Sequence, residues 1–197
     1  MRAHAPFDFQ RSDLRRGALA RRLGGCLVSL LLVALMCLAV ITVFPALRHP
    51  IFLARLVTSS APSDVMIPVA GVRKRQIPDT WGAARSGGRA HKGVDIFASR
   101  GTPVISATEG IIVRLGTNTL GGQVINVLGP GRQVHYYAHL DSYGEFKSGD
   151  VVLAGDTIGY VGNTGNARGT PPHLHYGIYE SEGGAVNPWP LLRSPQP

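Results

Sequence analysis

The chain has 197 residues, 25 of them glycine and 14 proline, and a formal net charge of +8. That length holds one ordinary domain plus an added segment, and the glycine and proline content favours short strands and turns over long helices. The charge is concentrated: residues 1–60 hold eight arginines and two aspartates, while the remainder holds 12 Lys+Arg against 10 Asp+Glu. No basic face large enough to follow a phosphate backbone is left in the folded part, which excludes nucleic acid as a partner. Both cysteines, Cys26 and Cys37, fall in the apolar N-terminal run. Downstream, neither a disulfide framework nor a thiolate metal site is expected, so any metal there takes His and carboxylate ligands.

In chain order, residues 1–23 read as a basic tail and residues 24–44 as a membrane span. At about 1.5 Å per helical residue, such a run crosses roughly 30 Å of hydrocarbon. Arg15, Arg16, Arg21 and Arg22 precede it. Excess Lys and Arg stay inside, so the N-terminus is expected inside and the rest exported. A cleaved signal peptide would have a shorter core and a small-residue site, and Phe44-Pro45-Ala46 is a poor one. Residues 45–65 are expected to be a linker. Within it, Ile51–Val57 reads either as a segment lying on the membrane or as an apolar patch in a tether.

From residue 66 to 197 strand signals recur at short spacing. Candidates are Val94–Phe97, Pro103–Ala107, Gly110–Leu115, Gln123–Leu128, Gln133–His139, Asp156–Val161 and His173–Tyr179. No window shows an apolar 3.6-residue period of helix length, and a single helical turn is expected near Leu140–Phe146. The expected class is mainly β, a compact antiparallel sheet or barrel-like sandwich with an active-site groove.

Polar chemistry gathers in four places: His91-Lys92-Gly93-Val94-Asp95, Tyr136-Tyr137-Ala138-His139-Leu140, the Asn163–Pro172 loop, and His173-Leu174-His175. In a strand, residues i and i+2 share a face, so His173 and His175 project together and Leu174 points away. The same alternation puts His135, Tyr137 and His139 on one face. A catalytic zinc takes three protein ligands and leaves a position open. His91, Asp95 and one of the paired histidines make that set. The other, with His139, remains for acid–base work. His135 reads as a structural or groove-edge residue. The Asn163–Pro172 loop enters the last strand and so forms a wall of the groove. Tyr137 and Asn166 are the candidate substrate-binding residues.

HKGVDIFASRGTPV, YYAHL, GDVVLAGDTIGYVGNTG and HLHYGI, in that order, resemble the M23 (lysostaphin/LytM-type) zinc metallopeptidases. The resemblance spans about residues 66–192. It implies that His91, Asp95 and His175 bind zinc and that His139 and His173 are catalytic. It also implies a zinc endopeptidase that cleaves peptide cross-links of bacterial peptidoglycan on the outer side of the cytoplasmic membrane. Some relatives lack zinc ligands and activate other cell-wall hydrolases, which is the alternative reading. Such a regulator would act through cell-wall protein partners. Many relatives carry a tyrosine shortly before the first zinc histidine; none lies between Trp81 and His91 here. Either the rim is more open, or Arg85, Arg89 or Tyr137 substitutes.

Overall fold

The computed structural model describes residues 27–40, 49–182 and 184–193. It divides into two compact units, Met1–Phe44 and Pro45–Pro197. In the first unit, residues 27–40 form helix α1, with every residue exposed. The expected tail at 1–23, and residues 24–26 and 41–44 of the expected span, lie outside the described residues. Among the described residues no helix is long and apolar enough to cross a membrane.

The second unit opens with helix α2, Pro50–Thr58, and closes with the short helix α3, Trp189–Arg193. Between them run β1 (Ala84–Arg85), β2 (Arg89–Ala90), β3 (Val94–Phe97), β4 (Pro103–Ile105) and β5 (Gly110–Asn118). There follow β6 (Gly122–Leu128), β7 (Val134–Tyr143), β8 (Val151–Val152), β9 (Thr157–Val161), β10 (His173–Glu180) and β11 (Gly184–Val186). Strands β1 and β2 form a separate hairpin, and the other nine make one antiparallel sheet in the order β11-β10-β7-β6-β5-β8. Off that path β3 pairs with β10, and β9 joins β7 to β4. The strands expected from sequence are present, and the mainly β antiparallel class stands.

Strict alternation on β10 explains the layering. Leu174, Tyr176 and Ile178 are fully buried, while His173 and His175 occupy the other face. On β3, Val94 and Ile96 enter the same core. Burying each such side chain contributes roughly 1.5–3 kcal/mol, and slipping the strand by one residue would turn the whole apolar set outward.

Strand β7 departs from alternation at one point, and this positions the site. On β6, Gln123 faces Leu140 and Ile125 faces Tyr137, so two steps on β6 match three on β7. The extra residue is a β-bulge, where His139 adopts a left-handed φ of 64° and its N–H donates to the Gly121 carbonyl at 2.7 Å. The bulge turns His139 onto the face that carries Tyr136 and Ala138, away from His135 and Tyr137.

Two other expectations change. The segment Leu140–Phe146 holds no helical turn; β7 continues to Tyr143 because β9 offers it a partner, with Leu140 opposite Val161 and Tyr143 opposite Gly159. The stretch read as a linker contains α2, started by Pro50, whose fixed φ suits a first helical turn. Leu56 is fully buried and Ile51 is 87% exposed, so the apolar run lies in a helix that buries only one face. Arg55 pairs with Glu109 at 2.6 Å, and Arg132 Nε–H donates to the Val57 carbonyl at 3.2 Å. These contacts hold α2 on the β unit.

Candidate metal centre and catalytic cleft

Three ligand atoms meet at the floor of a cleft of about 1180 Å³. His91 Nε2 lies 2.8 Å from His175 Nδ1 and 3.1 Å from Asp95 Oδ1, and His175 Nδ1 lies 3.2 Å from the same oxygen. Ligands about 2.0–2.1 Å from a tetrahedral ion stand roughly 3.3 Å apart, so this triangle has the dimensions of three metal ligands. The fourth direction opens onto the cleft. His175 and Asp95 are Cα partners across β10 and β3, which puts their side chains on one face.

The surroundings fix which atoms are available. His91 Nδ1–H donates to the Thr80 carbonyl at 2.6 Å, leaving Nε2 as a lone pair. The Thr80 hydroxyl accepts the Asp95 N–H at 2.9 Å, so one residue anchors two ligands. Arg85 binds Asp95 Oδ2 and leaves Oδ1 to the triangle. Burial pushes the Asp95 carboxyl up, but hydrogen bonds from His175, His91 and Arg85 outweigh it and hold the group well below the usual carboxylate range. Burial lowers the His175 pKa, with Asp95 opposing. Gly93 makes room for it. A Cβ there would sit 2.6 Å from His175 Cε1 and 2.7 Å from the Tyr176 carbonyl oxygen.

His139 and His173 stand beside this triangle, their ring centres 5.0 Å apart. His139 Nδ1–H donates to the Thr164 carbonyl, and His173 Nδ1–H to the Pro171 carbonyl, each at 2.9 Å. Both bonds leave Nε2 as the unprotonated atom of the neutral ring. His173 Nε2 is 4.0 Å from Asp95 Oδ1. Burial, then the neighbouring His173 and His175, lower the His139 pKa to about 4. The lowered value favours the neutral imidazole, the form that can accept a proton.

The loop that holds His139 is itself braced. The Thr164 hydroxyl donates to the Leu140 carbonyl at 2.8 Å and accepts the Gln123 N–H at 2.9 Å. Arg100 joins Asp141 to Asn163, whose amide donates to the Thr170 carbonyl at 3.2 Å. Where this loop meets the β5–β6 turn the backbones touch: a Cβ on Gly122 would lie 2.3 Å from the Gly165 nitrogen, and one on Gly165 2.3 Å from the Gly122 nitrogen.

Five sequence candidates therefore converge: His91, Asp95, His175, His139 and His173. Asn166 is exposed and lines the cleft. Tyr137 does not. It is fully buried, its hydroxyl accepts the Ala107 N–H at 2.9 Å, and burial pushes its pKa up to about 12. The residue lining the cleft is Tyr136, edge-on to His175 with ring centres 5.9 Å apart. Alternation counted back from His139 points to Tyr137, and the bulge shifts the choice by one. His135 is buried with Nδ1 2.7 Å from the Tyr176 hydroxyl, and belongs to the core. Thr80, Thr164 and the contact between Arg85 and Asp95 carry no sequence signal, since each acts through folding that brings distant segments together.

A β groove floored by a His–Asp–His triangle, with two further imidazoles beside it, is an arrangement suited to metal-dependent hydrolysis. The model of Peptidase family M23 matches residues 89–188, and the chain belongs to that family. It is 40% identical over 126 residues to the L-Ala–D-Glu endopeptidase of Bacillus subtilis (strain 168), covering 58% of this chain and 39% of that protein. It is 39% identical over 112 residues to the lysostaphin of Staphylococcus simulans, covering 54% of this chain and 22% of that one. Among solved structures, the catalytic domain of Staphylococcus simulans lysostaphin shares 37% identity at a TM-score of 0.54, covering 60% of this chain and 92% of that domain. The match thus spans well under half the length of these two full-length relatives.

Proposed function

We propose that this chain is a zinc endopeptidase that hydrolyses peptide cross-links of bacterial peptidoglycan. In this reading a span over residues 24–44 holds the catalytic unit on the outer side of the cytoplasmic membrane. The carrying observation is the triangle His91 Nε2, Asp95 Oδ1 and His175 Nδ1, with edges of 2.8–3.2 Å. The triangle supplies two imidazole nitrogens and one carboxylate oxygen, a donor set that suits zinc. Bound zinc supplies Lewis acidity that polarises the scissile carbonyl and acidifies the attacking water.

The chain's own residues do the rest. His139 and His173, locked with Nδ1–H on backbone carbonyls, present Nε2 to the attacking water, accept its proton and return it to the leaving amine. The charge of Asp95 is held by Arg85 on one oxygen, so the carboxylate stays ionised and single-pointed. Asn166 and the exposed segments around it flank the bound peptide.

The test is direct. Zinc-loaded full-length chain in detergent is incubated with purified cross-linked muropeptides, and products are identified by mass spectrometry. Cleavage of a peptide bond within the cross-link is expected. Bound zinc with intact muropeptides would overturn the reading in favour of a noncatalytic regulator. For the topology, a reporter fused after Pro197 is expected to report export; a cytoplasmic signal would overturn the anchor.

A further inference from the structure

The cleft is electrically lopsided. The segment from β1 to β3 contributes Arg85, Arg89 and Lys92 to its lining. The β5–β6 turn and the loop before β10 contribute Asn118, Thr119, Asn166 and Thr170, all neutral. Among the described residues Asp95 is the one acidic residue lining it, and both its oxygens are engaged, Oδ1 in the ligand triangle and Oδ2 with Arg85.

That leaves two cations without a counter-charge. Among the described residues no carboxylate pairs with Arg89 or Lys92. Arg89 uses two of its five N–H donors inside its own turn, Nε–H on the Ser86 carbonyl at 3.1 Å and one Nη2–H on the Ser86 hydroxyl at 3.4 Å, and its Nη1/Nη2 end keeps a forked pair for a ligand. Moreover, Arg85 and Arg89 are Cα partners across the hairpin. Like charges placed directly opposite disfavour a strand pair; Asp95 offsets the Arg85 side, and the Arg89 side has no such carboxylate among the described residues. The hairpin is also tied to the metal site, because His91 N–H donates to the Ala83 carbonyl and Gly82 N–H to the His91 carbonyl, both at 2.9 Å. A ligand held by Arg89 and Lys92 is therefore held at a set offset from the ligand triangle.

We propose that Arg89 and Lys92 form a carboxylate-binding subsite beside the metal triangle, so that the cleft selects peptides bearing a free carboxylate near the scissile bond over neutral ones. This inference rests on the endopeptidase reading and names its substrate chemistry. A guanidinium offers a forked pair of donors that matches a carboxylate, and the lysine adds a mobile second charge. Arg89 and Lys92 are exposed at the cleft rim, where a single ion pair is weak, so the subsite depends on the two cations acting on one carboxylate with no competing acid beside them.

The test compares a muropeptide with the same muropeptide whose carboxylates are converted to carboxamides, using zinc-loaded full-length chain. The acid form is expected to be cleaved with about tenfold higher kcat/KM, mostly through KM, and the ratio is expected to shrink as ionic strength rises. In R89Q and K92Q the ratio falls toward one, and R89K, which keeps the charge but loses the fork, retains part of it. Equal rates on both forms, or a ratio that survives in the double variant R89Q K92Q, would overturn the subsite while leaving the endopeptidase reading standing. No cleavage of either form defeats the endopeptidase reading instead. Calorimetric titration of the two forms then decides the charge preference alone: tighter binding of the acid form supports it, and equal binding overturns it.

Discussion

His135 and His139 lie four residues apart on β7, and both are nearly inaccessible, at 0% and 8% exposure. Burial lowers both pKa values to about 4. Their pKa values are displaced in the same direction, yet they belong to different regions. His135 faces the core, its one ring partner being the Tyr176 hydroxyl. His139 faces the cleft because a single extra residue turns it there, in a backbone conformation that side-chain-bearing residues rarely adopt. A perturbed histidine thus marks function only when the backbone aims it, and here the bulge does the aiming.

The largest effects should come from the cleft side. Asp95→Ala removes one of three ligands and should lower zinc affinity by more than about 100-fold, read by competition with a chelator. Retention of wild-type affinity would break the ligand assignment. His139→Ala should keep the metal while slowing muropeptide hydrolysis by about 10²–10⁴-fold. His135→Phe, by contrast, should stay within about twofold per folded molecule. Equal losses in those two variants would erase the contrast between the faces. Gly93→Ala comes next: its methyl group would press on the His175 ring and the Tyr176 carbonyl, and zinc affinity should fall about 10–100-fold with the fold intact.

On the core side the readout is stability. The folded pKa of His135 lies below its ordinary value of 6.5, at about 4. Above pH 6.5 the residue is neutral in both states and costs nothing. As pH falls from about 6.5 to 4 the unfolded chain takes up a proton that the folded chain refuses, so stability declines. Denaturant titrations at pH 7.5 and 4.5 should differ by about 2–3 kcal/mol less in His135→Phe than in wild type. An unchanged difference would mean the ring is already solvated in the fold. The smallest effect is expected from Tyr137→Phe, which leaves the Ala107 N–H without its acceptor. Stability should drop by about 1–2 kcal/mol, with turnover per folded molecule unchanged.

Most of the fold and the polar core of the site were legible because they follow simple periods. Alternation in His173-Leu174-His175-Tyr176 predicts which side chains enter the core, and the pair of β3 and β10 confirms it. The same rule failed on β7, where the register shift between Ile125 and Gln123 depends on a carbonyl at Gly121 that meets the His139 N–H. A bulge of this kind is invisible in the residue string, so Tyr137 was expected where Tyr136 stands. Helix α2 was missed for a related reason: nine residues are too few for a clear period, and the burial of Leu56 depends on docking against another part of the chain. Thr80 and Thr164 were illegible because their carbonyls and hydroxyls act on residues 11 to 41 positions away, contacts that only the fold brings together.

The contact between Gly122 and Gly165 has a consequence for how such a cleft can diversify. With no room for a methyl group on either side, the β5–β6 turn and the loop before β10 behave as one mechanical part, and that part carries the carbonyl that orients His139. Substitutions at the contact would detune the acid–base group before they reshaped the groove. New substrate ranges are therefore more readily reached from the rim, at Thr119, Leu120, Asn166 and the β1–β2 hairpin, where side chains line the cleft without being caught between backbones.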